Sequence, residues 1–189
     1  MEKFNLYPFQ YFPRYYNKNG LFEELKKIIT FQQDKIIIGE ENKERIERRK
    51  TSWLSNNNNL TFEYSGKVMK PNNIPTVLYD LIDLIKKDFG ILFDGILVNY
   101  YENGQVGMGY HSDPIDDKWD NNFVILSLGA ERKLIFREKE NKEHKKEFMF
   151  NNGDLIYMFG NCQEKYEHSV RKNKDNSDRI SLVFKKNKI

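Results

Sequence analysis

The second half of the chain is a succession of short apolar segments separated by turn residues, and this pattern limits the folds that it can adopt. From residue 91 onward the apolar residues alternate with the period of about two that is typical of β-strands. Glycine and asparagine separate the segments, as expected for tight turns. We predict strands over residues 91–101, 108–113, 123–128, 132–138, 146–150, 154–159 and 179–185. Many short strands in close succession are typical of a two-sheet barrel or jelly roll.

The first half of the chain has two helical patterns, and we also predict a short strand over residues 35–38 and two strands over residues 51–66. Apolar stripes of helical period predict helices over residues 20–31 and 76–89. Helices followed by strands indicate an α+β fold. Neither an internal repeat nor a linker divides the chain, so we predict a single domain over residues 1–189, with residues 1–48 as an N-terminal helical extension.

Composition indicates where such a protein would work. The single cysteine, Cys162, excludes an internal disulfide framework and suits a reducing compartment. No apolar run reaches the roughly 18 residues that span a bilayer, and the first residues do not resemble a signal peptide. We therefore expect a soluble, intracellular protein with no membrane partner. Basic residues cluster over 45–50, 171–174 and 185–188, which is typical either of a solvated surface or of a polyanion-binding face.

A His-x-Asp sequence marks the candidate site. His111 and Asp113 are two residues apart on a predicted strand, so their side chains point to the same face. The chain has three histidines, and His144 lies in a charged run that is typical of a solvated loop. His168 is then the candidate third ligand. Two imidazoles and one carboxylate form the facial triad that holds non-haem Fe(II) with open coordination positions.

An arginine on the last predicted strand suggests a cosubstrate for this metal. Arg179 offers a planar fork of donors that matches a carboxylate. An iron enzyme that uses a 2-oxo diacid needs such a group to hold the carboxylate farther from the metal. Asn99 and Tyr101 can offer an amide and a hydroxyl to the same molecule from a neighbouring strand. The alternative is that Arg179 is a surface residue beside acidic neighbours.

These residues belong to a longer series of motifs over roughly residues 49–185. The motifs are, in order, Arg49-Lys50-Thr51-Ser52-Trp53, Leu60-Thr61-Phe62-Glu63-Tyr64-Ser65-Gly66, Ile74-Pro75, Asn99-x-Tyr101-x-x-Gly104, His111-Ser112-Asp113, Ser127-Leu128-Gly129-Ala130-x-Arg132, Gly153-Asp154-Leu155, His168-Ser169 and Arg179-Ile180-Ser181-Leu182-Val183-Phe184-Lys185. In this order they resemble the AlkB family of Fe(II)/2-oxoglutarate-dependent dioxygenases, in particular its nucleic-acid repair branch.

The resemblance implies a double-stranded β-helix over residues 91–189 and a nucleotide-recognition lid over residues 49–66. It implies roles for ten residues: iron ligands His111, Asp113 and His168; 2-oxoglutarate contacts Asn99, Tyr101, Arg179 and Lys185; and substrate contacts Tyr64, Trp53 and Arg49. The implied reaction is oxidative demethylation of N-alkylated bases in DNA or RNA, with release of aldehyde, succinate and CO2. Such enzymes act on a base that has left the base stack. We also expect the protein to be a monomer.

The chain departs from the family pattern at two places. The closing pattern of the family is Arg-x-Asn-x-Thr-x-Arg, and here it is Arg179-x-Ser181-x-Val183-x-Lys185. The lysine keeps one positive charge but lacks the fork of arginine. The position two residues after Asp113, acidic in repair enzymes, is Ile115. Two other functions are therefore compatible with the sequence. One is the same oxygenase chemistry on a protein side chain or a small molecule, and the other is a non-catalytic nucleic-acid-binding module.

Overall fold

The fold is seen in a computed structural model that describes residues 7–39 and 42–188; the parts of the predicted extension and core at residues 1–6, 40–41 and 189 lie outside the described residues. Strands predominate, and the described residues contain three α-helices and one 3₁₀-helix. The elements are β1 (Phe9–Phe12), α1 (Leu21–Ile28), β2 (Lys35–Ile38), β3 (Lys43–Ile46), β4 (Lys50–Leu54), β5 (Phe62–Tyr64), β6 (Lys67–Met69), the 3₁₀-helix (Thr76–Leu78), α2 (Tyr79–Phe89), β7 (Gly95–Tyr101), β8 (Met108–His111), β9 (Phe123–Gly129), β10 (Arg132–Glu138), β11 (Lys145–Phe150), β12 (Leu155–Met158), α3 (Cys162–Lys165), β13 (Tyr166–Val170) and β14 (Arg179–Lys185).

Two antiparallel sheets form the body of the protein. The major sheet has the strand order β1-β12-β9-β14-β7-β4, and the minor sheet has the order β11-β10-β13-β8. One buried cluster contains Leu97 and Ile125 from the major sheet together with Phe136 and Val170 from the minor sheet, so the sheets pack face to face. This arrangement confirms the predicted two-sheet, jelly-roll architecture.

The two longer helices cover the outer face of the major sheet. Leu25 of α1 and Leu81 of α2 belong to one buried cluster with Val98 of β7 and Leu182 of β14. Because successive residues of a strand point to opposite faces, β14 directs its even-numbered apolar residues to these helices and its odd-numbered residues between the sheets. No helix in the described ranges has the length and the hydropathy that crossing a membrane requires.

The predicted N-terminal helical extension, residues 1–48, is wrong in part. Its described residues form one helix, α1, and the three strands β1, β2 and β3. Phe9 pairs with Met158, so β1 adds an edge strand to the major sheet. The alternation of Phe9, Gln10 and Tyr11 suits an edge strand, and prolines lie immediately outside it at both ends.

The predicted lid, residues 49–66, is also wrong in part, because its first strand belongs to the major sheet. Trp53 of β4 pairs with Leu97 of β7, and its side chain is fully buried. Its indole N–H donates to the Leu60 carbonyl at 2.7 Å, and its ring stacks on Phe62. The prediction that Trp53 contacts substrate is therefore wrong, since this ring is a core residue. The β5–β6 hairpin lies outside the major sheet and contacts the β2–β3 hairpin, where Ile37 N–H donates to the Ser65 carbonyl.

Candidate active site

The three predicted metal ligands meet at one point. His168 of β13 is the direct cross-strand partner of His111 of β8, and Asp113 follows on the same side of the chain. One ligand atom from each of the three side chains lies within 4.8 Å of the other two. We call His111, Asp113 and His168 the metal cluster, because this is the set of donors that a facial triad requires.

Neighbouring groups orient two members of the metal cluster. Nδ1 of His111 lies 2.9 Å from the Gly109 carbonyl, and a proton donated there leaves Nε2 as the ligand atom. The backbone N–H of Asp113 donates to Oε1 of Gln163 at 2.8 Å. Gln163 is buried on the short helix α3. The sequence carries no local signal for this role, which depends on a contact across 50 residues.

The electrostatics of the metal cluster suit a divalent cation. Burial, followed by the charge of His111, lowers the pKa of His168 to about 3, so its imidazole is neutral at pH 7, as a metal ligand must be. The pKa of Asp113 lies below its ordinary value: burial raises it, but Lys185 and the two histidines outweigh burial. Lys185 donates to Oδ2 of Asp113 at 2.9 Å. Two imidazoles and one carboxylate are the donor types of the facial triad that holds Fe(II).

A cavity beside the metal cluster is lined by all four residues predicted to hold 2-oxoglutarate. Asn99, Tyr101, Arg179 and Lys185 all face it. The pairing of β14 with β7 places Arg179 opposite Tyr101 and places Ser181, a residue the sequence reading did not assign, opposite Asn99. We call this space the inner cavity. Lys185 reaches the metal cluster through Asp113, and its role toward 2-oxoglutarate stays a prediction.

Arg179 is the most informative residue of the inner cavity. Its Nε donates to the Ser127 hydroxyl at 2.8 Å, but its Nη1 has no hydrogen-bond partner in the part of the chain that the structure describes. Two other buried side-chain atoms in the described residues also lack a partner, on Arg132 and Ser169, and neither residue lines this cavity. Burial lowers the pKa of Arg179 to about 10, so the guanidinium is charged at pH 7. A buried cation with an unsatisfied donor destabilises the folded protein. A carboxylate ligand would supply both the missing acceptor and the opposite charge.

A second, wider space opens from the metal cluster toward the two hairpins. This outer cleft has a volume of about 320 Å³ and includes His111 and Asp113 in its lining. Its walls carry the aromatic side chains of Phe62, Tyr64 and Trp119. A cleft of this size is in the range of small-molecule sites, which begins at about 300 Å³.

Comparison with known proteins identifies the family. The family model described as the 2OG-Fe(II) oxygenase superfamily matches residues 6–185. The chain belongs to this superfamily. The metal and the cosubstrate predicted from the sequence, Fe(II) and 2-oxoglutarate, are those of this oxygenase family, and the metal cluster provides the corresponding donors.

Several relatives are AlkB homologues, which confirms the AlkB-like resemblance. The oxygenase is 32% identical over 180 residues to the uncharacterized protein R406 of Acanthamoeba polyphaga mimivirus, covering 94% of this chain and 93% of that protein. It is 28% identical over 172 residues to alpha-ketoglutarate-dependent dioxygenase alkB homolog 3 of Homo sapiens, covering 85% of this chain and 54% of that protein. It is 29% identical over 139 residues to DNA oxidative demethylase ALKBH2 of Bos taurus, covering 67% and 49%. The oxygenase thus spans about half the length of the AlkB homologues that it matches.

Solved structures share the fold of this oxygenase. The structure of OsALKBH1 matches with a TM-score of 0.67 at 14% identity, covering 95% of this chain and 98% of the other. A 2OG-Fe(II) oxygenase family protein from Burkholderia pseudomallei matches with a TM-score of 0.61, also at 14% identity, covering 95% and 85%.

Arg49 connects the two spaces of the oxygenase, since it lines both the inner cavity and the outer cleft. Its Nε donates to Oδ1 of Asn99 at 2.6 Å, and its Nη2 lies 2.9 Å from Oε1 of Glu47. The Tyr64 hydroxyl donates to the same Glu47 oxygen at 2.7 Å. Arg49, which is predicted to contact substrate, is therefore hydrogen-bonded to Asn99, which is predicted to contact 2-oxoglutarate.

The sequence reading missed two residues at the centre of this network, Glu47 and Lys67. Glu47 is 1% exposed, and its second oxygen accepts from Lys67 at 2.8 Å. Lys67 also donates to Thr51 and Asp34. The pKa of Lys67 is raised: burial lowers it, but the hydrogen bonds to Glu47 and Tyr64 outweigh burial. Glu47 lies in a charged stretch of the sequence, and composition alone gives no sign that its side chain is buried.

Proposed function

We propose that this oxygenase removes N-alkyl groups from bases of nucleic acid, in a reaction that depends on Fe(II) and 2-oxoglutarate. The observation that carries the proposal is the outer cleft, which has aromatic walls and ends at His111 and Asp113. A base that has left its strand can stack on an aromatic side chain, whatever the sequence around it. The DNA oxidative demethylase among its relatives favours the same substrate class.

Each residue of the site has a distinct task in this reaction. His111, Asp113 and His168 would hold Fe(II) and leave other coordination positions open. Fe(II) and 2-oxoglutarate, when bound, supply an O2-dependent hydroxylation of the N-alkyl carbon that leaves succinate, CO2 and, after the hemiaminal collapses, an aldehyde. Arg179 would bind the carboxylate of 2-oxoglutarate that lies farther from the metal, through its free Nη1. Lys185 holds the Asp113 carboxylate in one orientation.

Formaldehyde release from N-methylated DNA and RNA oligonucleotides tests the proposal. We expect the wild type to release formaldehyde only when both Fe(II) and 2-oxoglutarate are present. His111→Ala should release none, because the variant lacks one of three metal ligands. Succinate formation without formaldehyde from any oligonucleotide would indicate a protein or small-molecule substrate. Oligonucleotide binding without any succinate would indicate a non-catalytic module.

Tyr64 separates base stacking from the other steps. Tyr64→Leu is expected to raise KM for a methylated oligonucleotide about tenfold, because stacking of one base on an aromatic ring contributes roughly 1–3 kcal/mol. Tyr64→Phe keeps the ring and loses only the hydrogen bonds of the hydroxyl with Glu47 and Arg49, so its KM should stay close to that of the wild type. Steady-state kinetics at saturating 2-oxoglutarate measure both values. Equal KM values for Tyr64→Leu and wild type would rule out Tyr64 as the stacking residue.

A further inference from the structure

A positively charged groove lies beside the metal cluster, outside both spaces described above. We call it the basic groove; it has a volume of about 330 Å³ and is lined by Arg48, Gly107, Met108, Gly109, Arg171 and Lys172, with Val170 at its base. Three of these side chains are cationic, and no carboxylate of a described residue lines the groove. A groove with one sign of charge concentrates ligands of the opposite sign.

The three cations of the basic groove are free to bind a ligand. Arg48, Arg171 and Lys172 are exposed, and none of their side chains forms an ion pair or hydrogen bond within residues 7–39 and 42–188. Most other cations near the site are already paired: Arg49 and Lys67 with Glu47, and Lys185 with Asp113. The groove therefore presents an uncompensated positive charge at the surface beside the site.

The groove is built on the strands that carry the metal cluster. Met108 and Val170 pair across β8 and β13 and line both the groove and the inner cavity. The Gly109 carbonyl at the same place lies 2.9 Å from Nδ1 of His111. A ligand in the groove thus lies against the outer end of the strand pair whose inner end holds the metal ligands.

The loop that carries two of the cations is held in place by backbone contacts. Arg171 N–H donates to the Lys133 carbonyl, and Asn173 N–H donates to the Gly104 carbonyl, both at 2.9 Å. A Cβ atom on Gly107 would lie 2.7 Å from the Val170 carbonyl oxygen, so this close approach of the two chain segments requires glycine. Gly109, by contrast, has open space where a Cβ would be, which lets a ligand approach the backbone.

We propose that the basic groove binds the phosphodiester backbone of the strand whose base occupies the outer cleft. This inference rests on the proposed function, because it assumes a nucleic-acid substrate. Met108 lines the groove, the outer cleft and the inner cavity, so a strand in the groove continues directly into the space where its base would react. Phosphate contacts position a strand without reading its sequence, which suits an enzyme whose chemistry selects the base.

The salt dependence of binding tests the groove directly. Fluorescence anisotropy would measure Kd for a labelled single-stranded oligonucleotide over a range of salt concentrations. Arg171→Gln with Lys172→Gln is expected to reduce the slope of log Kd against log salt by about 1.4, because each phosphate contact with a single strand contributes about 0.7. Lys86→Gln with Lys87→Gln is the matched control: it removes the same charge from the far helix α2, and its slope should equal that of the wild type. Equal slopes for all three proteins would overturn the proposal.

Two further measurements separate the possible failures. Formaldehyde release is followed with the same proteins: release by the wild type together with equal slopes would overturn the groove and leave the proposed function standing. No release, together with the reduced slope in the groove variant, would overturn demethylation and retain the groove as a strand-binding site. Inorganic phosphate added at constant ionic strength should not displace the oligonucleotide. If millimolar phosphate displaced the oligonucleotide, the groove would be a site for free phosphate and the proposal would be overturned.

Discussion

Replacing Arg179 by methionine is expected to remove the stabilisation that 2-oxoglutarate gives to the protein, while the cosubstrate-free protein stays nearly as stable as the wild type. Truncating one partner of a buried, hydrogen-bonded charge pair costs roughly 2–5 kcal/mol of binding. That cost weakens 2-oxoglutarate binding by about 30-fold to 5,000-fold. Without cosubstrate, the lost hydrogen bond to Ser127 is offset by the removal of a buried cation that has no carboxylate partner.

Thermal unfolding under nitrogen with Fe(II), with and without 2-oxoglutarate, measures both effects, because a ligand that binds only the folded state raises Tm. Arg132→Met is the matched control: Arg132 is equally buried but does not line the inner cavity, and it donates to the Ser177 carbonyl at 2.6 Å. This control loses two hydrogen bonds to backbone carbonyls, those of Glu131 and Ser177, so it should lose stability and keep the shift with 2-oxoglutarate. A full shift in Arg179→Met would show that Arg179 does not bind the cosubstrate.

The metal cluster could be predicted from the sequence because each of its parts has a local signature or a scarce residue type. His111 and Asp113 follow the period of two, and that period alone fixes a shared face. His168 was found by elimination, since the chain has only three histidines. The strand that carries it, β13, was not predicted: Tyr166, His168 and Val170 alternate over only five residues, and a polar strand of this length resembles a loop.

The inner cavity depends on register, which the sequence specifies only indirectly. Arg179 faces Tyr101 because β14 pairs with β7 in one particular alignment over their whole length. A slip by one residue would turn every side chain of β14 to the other sheet face. Such a slip would bury Arg179 and Lys185 against the helices and expose Ile180 to the cavity, so the hydrophobic pattern excludes it. The pattern of buried residues therefore determines which face of β14 each side chain occupies. It does not determine that β14 pairs with β7, because that pairing depends on the fold of the whole chain.

The network around Glu47 was beyond local reasoning for a different reason. A carboxylate in a charged segment is ordinarily exposed. Its burial here follows from three donors, of which Arg49 is a near neighbour in sequence, whereas Tyr64 and Lys67 come from the β5–β6 hairpin. Lys67 lies on β6 and Arg49 precedes β4, and only the folded arrangement of the hairpins brings them together. The sequence shows that these residues are charged, but it does not show that they form ion pairs with one another.

Glu47→Gln is expected to destabilise the protein by about 3 kcal/mol or more, because it leaves the buried Lys67 and Arg49 without their shared carboxylate. Adding Lys67→Met removes a buried ammonium whose remaining carboxylate is the partly exposed Asp34, so the double variant should be more stable than Glu47→Gln alone. Urea denaturation of the two single variants and the double variant gives the free energies of unfolding. Glu147→Gln is the control, since its ion pair with Lys133 is about half exposed on both sides and should contribute less than about 1 kcal/mol.

Glu47→Gln should also affect the binding of 2-oxoglutarate in the inner cavity, because Arg49 contacts Glu47 and lines that cavity. With Glu47 neutral, the guanidinium loses the charged partner that holds Nη2, and its hydrogen bond from Nε to Asn99 becomes its only strong one. Asn99 is predicted to contact 2-oxoglutarate, so KM for the cosubstrate should rise together with KM for the oligonucleotide, although Glu47 itself does not line the inner cavity. Lys67→Met keeps the Glu47–Arg49 pair and should leave KM for 2-oxoglutarate unchanged. A rise in both variants would show that general loosening of the hairpins, rather than Arg49, links the two spaces.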